Sequence, residues 1–152
     1  LCDRRQRQMC IRDSIILGLP GETHDTMVAQ AGMLSELPLS TLKIHQLQLI
    51  RGTRMAHEYE ENPTGFHLFR EVDEYIDLVI DYVEHLHPDL VLERFVSQSP
   101  KELLIAPDWG LKNYEFVTRL QKRMKERGAY QGKKYRDSEK RVIFAEDNFT
   151  TE

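Results

Sequence analysis

Ile15-Ile16-Leu17-Gly18-Leu19-Pro20-Gly21-Glu22-Thr23 is a short apolar run that stops at a glycine-proline-glycine turn and reopens on residues that start helices. Its order is strand, tight turn, helix. Residues 14–17 suit a strand buried on both faces, and Gly18 and Gly21 allow backbone angles and a close approach that a β-carbon would block. Pro20 stiffens the turn. Thr23 or Asp25 can cap the helix that follows, whose first N–H groups lack internal partners and face whatever lies above the strand's carboxyl end. Ligands of parallel α/β proteins sit there.

Working outward, Met27, Ala31, Leu34 and Leu37 recur at helical steps until Pro38 ends the helix, so this stripe is expected to pack on a sheet. Residues 41–50 form the next strand, but its apolar phase slips at His45-Gln46. Such a slip marks a bulge or the point where a strand leaves its sheet. Arg51-Gly52-Thr53 is a turn, residues 54–61 a short helix, and Asn62-Pro63 its break. Residues 70–86 have the clearest amphipathic spacing, through Val72, Tyr75, Ile76, Val79, Ile80 and Val83, with acidic residues opposite. A third strand follows over 90–96, then a loop, an apolar piece over 102–107, and a last helix over 112–127 with Phe116, Val117, Leu120 and Met124 inward and Gly128 as its C-cap. Residues 136–152 read as a loose tail.

Alternating strands and helices are the order of parallel α/β units with right-handed crossovers. Three strands make an incomplete sheet, because parallel strands are normally covered on both faces. A larger barrel, cut short, is the simplest reading.

The totals narrow the function classes. Among 152 residues, 40% are apolar and 30% charged, an ordinary globular composition. A net charge of -4 argues against a broad polyanion-binding surface. No apolar run approaches the roughly 20 residues that span a bilayer and no signal peptide precedes the first strand, so no membrane partner is expected and the location expected is cytoplasmic. Cys2 and Cys10 stand in an Arg- and Gln-rich segment without a third nearby ligand, so no metal site is read from them. Residues 1–13 show neither helical nor strand periodicity and are similar to translated adaptor read-through at the end of an assembled gene. They are expected to be disordered and without function.

The turn motif resembles the fifth-strand motif of radical S-adenosylmethionine (SAM) proteins, in the group containing MiaB, NifB and the Elongator catalytic subunit. Lys43-Ile44-His45-Gln46-Leu47, Gly52-Thr53, the run from Glu102 to Pro107, Trp109, and the run from Arg127 to Tyr135 look like the YhcC-type subgroup. The resemblance covers about residues 14–135. It implies a partial TIM-like (β/α)6 barrel, of which residues 14–96 would be the carboxyl-terminal part and 97–135 a helical extension. It also implies SAM and a [4Fe-4S] cluster as cofactors of the intact parent, which reductively cleave SAM to a 5'-deoxyadenosyl radical.

The cluster loop Cys-x3-Cys-x2-Cys that such proteins carry after their first strand does not occur in this sequence. The chain alone is therefore expected to be inactive, with the rest of the same protein and an electron donor as its partners. Carried over by resemblance, Ile16, Gly18 and Gly21 lie at the adenine side of the SAM pocket. His45, Gln46 and Leu47 lie at the end of the sixth strand, where backbone groups read the adenine edge. The motif's acidic position falls one place away, at Glu22. Arg94 is a candidate substrate contact, although Glu93, Gln98 and Ser99 replace the residues usual around it. A rival reading is a non-catalytic nucleotide- or RNA-binding α/β module, whose turn presents N–H groups to a phosphate and whose basic 122–134 segment touches RNA.

Overall fold

A computed structural model describes residues 11–135. The elements are β1 (Ile11–Leu17), α1 (His24–Ser35), β2 (Leu39–Gln46), β3 (Leu49–Ile50), α2 (Arg54–Glu61), α3 (Val72–His85), β4 (Val91–Arg94), β5 (Leu104–Ala106) and α4 (Asn113–Arg127), with a 3-10 turn at Pro63–Gly65. β1, β2 and β4 form a parallel sheet with β2 in the middle. β3 and β5 pair antiparallel in a second, two-stranded sheet.

The parallel sheet is covered on one face only. Leu17, Leu42 and Ile44 turn into a core with Met27 and Ala31 of α1 and Tyr75, Ile76, Val79 and Val83 of α3. The alternate positions remain open: Ile16 is 46% exposed and Val91 56%. This is the period-two pattern of a strand whose two faces meet different surroundings. That face mixes Ile16 and Val91 with polar residues such as Ser14, Thr41, Lys43 and His45, and an uncovered face is unusual for parallel strands.

α3 is the central helix of the covered side, flanked by α1 and α4, so burial extends around it to Leu78 and Tyr82. Each large side chain buried there contributes roughly 1.5–3 kcal/mol relative to exposure. Phe116 and Leu120 seat α4 in the same way, against Tyr75 and Phe95. The Arg123 and Arg127 pairs with Asp77 on that surface are half-exposed and add far less.

Three expectations need correction. Residues 11–13 are not outside the fold: they begin β1, laddered to Leu39, Thr41 and Leu42. An apolar period is not needed there, because one edge of the strand is held by backbone hydrogen bonds and Arg12 and Asp13 are exposed. Leu37 lies beyond the end of α1 and is exposed rather than packed on the sheet. The side of α3 opposite its core stripe is not wholly solvated, since Glu84 is buried. The expectations for residues 1–10 and 136–152 lie outside the described residues.

Candidate functional site at the carboxyl ends of the parallel strands

The first two parallel strands end together, and β4 stops three residues short of the end of β2. Leu17 pairs with Gln46, the ladder runs one residue further through Leu47 N–H to the Leu17 carbonyl at 2.9 Å, and β4 ends at Arg94 opposite Lys43. Gly18, Gln46 and Leu47 therefore meet along one rim, with His45 one residue below it and Arg94 level with Lys43.

Gly18 adopts φ +90°, and a β-carbon there would stand 2.8 Å from Phe69 Cε2 and 3.3 Å from the His67 carbonyl. The glycine is required because the segment before α3 crosses the end of β1. Gly21, at φ +84°, has open space around it and needs only the left-handed conformation. Two of the turn's donors are already used. Glu22 accepts from the Gly18 N–H at 3.0 Å and the Leu19 N–H at 2.8 Å, and Gln30 donates to its other oxygen at 2.6 Å. Thr23, rather than Asp25, caps α1 by accepting from the Thr26 N–H. An anion approaching Gly18 and Leu19 meets a carboxylate instead of free N–H groups.

His45 and Gln46 point to opposite faces. Gln46, 3% exposed, turns to the covered side and accepts from the Ser97 N–H at 3.0 Å. Its side chain is thus occupied, leaving only its backbone for a ligand. His45 lies on the opposite side of the strand and is half-buried, its Nδ1 shielded from solvent and without a hydrogen-bond partner. Burial lowers its pKa, the charges of Arg94 and Lys43 lower it further, and a hydrogen bond with the Val96 backbone opposes them. The imidazole is thereby biased to the neutral form. Lys43 pairs with Glu93 at 3.5 Å.

Over this rim lies a second apolar cluster of Leu47, Leu49 and Leu68, with Tyr59, Phe66 and Ile105 against it. Sequence reasoning missed this layer, because two-residue strands carry no measurable period. Its signal was the slip at His45-Gln46, where the chain leaves the parallel sheet and restarts as β3. Gln48 also escaped notice, and it accepts a hydrogen bond from Ser99 Oγ at 2.8 Å.

The basic 122–134 segment is largely neutralised within the fold. Arg123 and Arg127 pair with Asp77, Arg127 also with Asp81 at 2.6 Å, and Lys133 and Lys134 with Glu84. Among the described residues no three His, Cys, Asp or Glu side chains converge as metal ligands. These residues do not fit an iron-sulfur cluster, and no step through one is derived from them. They do fit a neighbouring organic ligand to the extent that Ile16 offers an open apolar contact beside the strand ends.

Parallel strands with helices on one face and an open face opposite define a segment of an α/β barrel wall. Residues 39–126 match the Radical_SAM C-terminal domain, and the chain belongs to that family. It is 34% identical over 129 residues to the uncharacterized protein YtqA of Bacillus subtilis, covering 85% of this chain and 39% of that protein. It is 24% identical over 125 residues to YhcC of Escherichia coli K12, covering 82% and 39%. The chain thus spans about two-fifths of the length of these curated relatives. A solved structure of Elp3 from the archaeon Methanocaldococcus infernus, with an N-terminal deletion, superposes with a TM-score of 0.65 at 12% identity, over 82% of this chain and 28% of that one. That likeness establishes a partial radical SAM fold. No helix among the described residues is long and apolar enough to cross a membrane.

Proposed function

We propose that this chain is the carboxyl-terminal wall of a radical SAM enzyme and that its strand ends form one side of the adenosyl pocket. The observation that carries this reading is the open face at the strands' carboxyl ends, where exposed Ile16 stands on the strand beside His45. Ile16 offers the adenine an apolar surface, Gly18 and Gly21 bend the chain clear of it, and the backbone of His45, Gln46 and Leu47 reads its edge. When bound with a reduced [4Fe-4S] cluster, SAM supplies a 5'-deoxyadenosyl radical. The cluster's ligands would come from the remainder of the protein, which also closes the barrel. An electron donor and a cytoplasmic setting complete the proposal, and residues 97–135 serve as an extension that closes the rim.

The test is equilibrium binding of SAM to the protein made from the intact reading frame, alongside the Ile16→Asp variant. Micromolar binding that the variant weakens at least tenfold is expected. Absence of binding by the unaltered protein, or a reading frame without a three-cysteine cluster loop, would overturn the proposal.

A further inference from the structure

We propose that Gln30 is a positioning residue for the adenosyl pocket, holding through Glu22 the turn that borders the Ile16 surface. This role presupposes the pocket proposed for the strand ends, but the geometry behind it is that of the turn itself. Glu22 precedes the N-cap of α1 and is half-buried, and its two oxygens meet different partners. Oε2 accepts from the Gly18 and Leu19 N–H groups at 3.0 and 2.8 Å, and Oε1 accepts from Gln30 Nε2 at 2.6 Å. Gln30 lies within α1, three residues beyond Met27, whose sulfur accepts from the same Gly18 N–H at 3.2 Å.

A carboxylate bonded through one oxygen alone still swings about its last torsion, whose wells are broad. A donor on the second oxygen removes that freedom, and a charged acceptor strengthens the bonds on both sides. Gln30 is itself fixed by its helix, where Met27 and Ala31 are buried in the main core. The seat of α1 on the sheet is thereby transmitted to Gly18 and Leu19, the residues that follow directly on Ile16 and Leu17 of β1. The turn's own backbone contributes the Glu22 N–H to the Leu19 carbonyl at 3.0 Å, whereas the aim of the Gly18 and Leu19 amides is set from the side by Glu22. A wall that a ligand touches has to be held to about 0.5 Å, and groups behind the contact surface secure it.

A double-mutant cycle tests the role, read by equilibrium binding of SAM to the protein made from the intact reading frame, at a temperature where every variant is folded. Gln30→Glu sets two carboxylates against each other and is expected to weaken SAM binding at least fivefold. Combining it with Glu22→Gln exchanges the two groups, restores an amide-to-carboxylate bond and leaves an amide oxygen for the Gly18 and Leu19 N–H groups. Binding by this exchanged pair is expected to return to within twofold of the unaltered protein, with Glu22→Gln alone completing the cycle. Amide exchange at Gly18 and Leu19, measured without ligand, is expected to quicken at least threefold in Gln30→Glu and to recover in the exchanged pair. An exchanged pair as weak as Gln30→Glu, or a Gln30→Glu variant that binds SAM as the unaltered protein does, overturns the positioning role and leaves the pocket standing. Absence of SAM binding by the unaltered protein overturns both. Should Gln30→Glu fail to fold, Gln30→Ala takes its place: a loss of at least twofold in affinity is expected, and an unchanged affinity overturns the role.

Discussion

The side-chain amide of Gln46 lies along the backbone of Ser97, accepting from its N–H at 3.0 Å and reaching its carbonyl at 3.5 Å. Neither residue belongs to a shared backbone ladder, since β4 has ended at Arg94. A side chain therefore continues the sheet where the main chain stops. Gln46→Leu leaves the Ser97 N–H without this acceptor and is expected to cost about 1–3 kcal/mol. Denaturant unfolding checks it, and an unchanged midpoint and slope would refute the assigned role.

The two glycines of the turn separate by their surroundings. Gly18→Ala combines a positive φ with a 2.8 Å contact to the Phe69 ring and is expected to lose more than 3 kcal/mol, through strain and displaced packing. Gly21→Ala meets no atom and carries only the conformational cost, about 1–2 kcal/mol. Thermal unfolding of both variants gives the ranking, and the opposite order would count against the crossing of Phe69 over β1.

Glu84, 3% exposed, receives Lys134 at 2.5 Å and Lys133 at 3.6 Å. The same segment is tied down by the Gly132 N–H to the Val83 carbonyl and by the Lys134 N–H to the Glu84 carbonyl. Both lysines are partly exposed and can turn to water if the carboxylate is lost, so Glu84→Ala is expected to cost about 1–2 kcal/mol rather than the value for a fully buried pair. Limited trypsin digestion is expected to cut after Lys133 and Lys134 several times faster in this variant; equal rates would show that the backbone bonds alone hold the segment.

The depressed pKa of His45 makes stability depend on pH. The unfolded imidazole, near 6.5, binds a proton before the folded one does. The contribution is therefore present above that value and lost as pH falls through the lower folded pKa. His45→Gln removes the effect, so the unaltered protein's stability relative to the variant is expected to decline between about pH 7.5 and 5. Paired denaturation curves across that range check the sign, and a gap that widens in acid would reverse it.

Much of the covered side was legible in the sequence, because burial on one face imposes a period. Tyr75, Ile76, Val79, Ile80 and Val83 announce α3, Phe116 and Leu120 announce α4, and Gly128 ends α4 in the left-handed conformation expected of it. The rim was harder to read. β3 and β5 are too short for a pattern, and their pairing depends on contacts far apart in sequence. Thr23 was one of two equally suitable caps, and only the geometry of Thr26 distinguishes it from Asp25. Arg94 sits opposite Lys43 because of the register slip between β2 and β4, which local composition does not encode.

The apolar cluster at Leu47, Leu49 and Leu68 is separate from the one beneath the parallel sheet. Distant substitutions combine nearly additively. Drift within the small cluster can therefore reshape the mouth above Ile16 and Arg94 without a matching adjustment around α3. Such modularity lets an unchanged structural wall be refitted for new chemistry by altering a handful of residues at its edge.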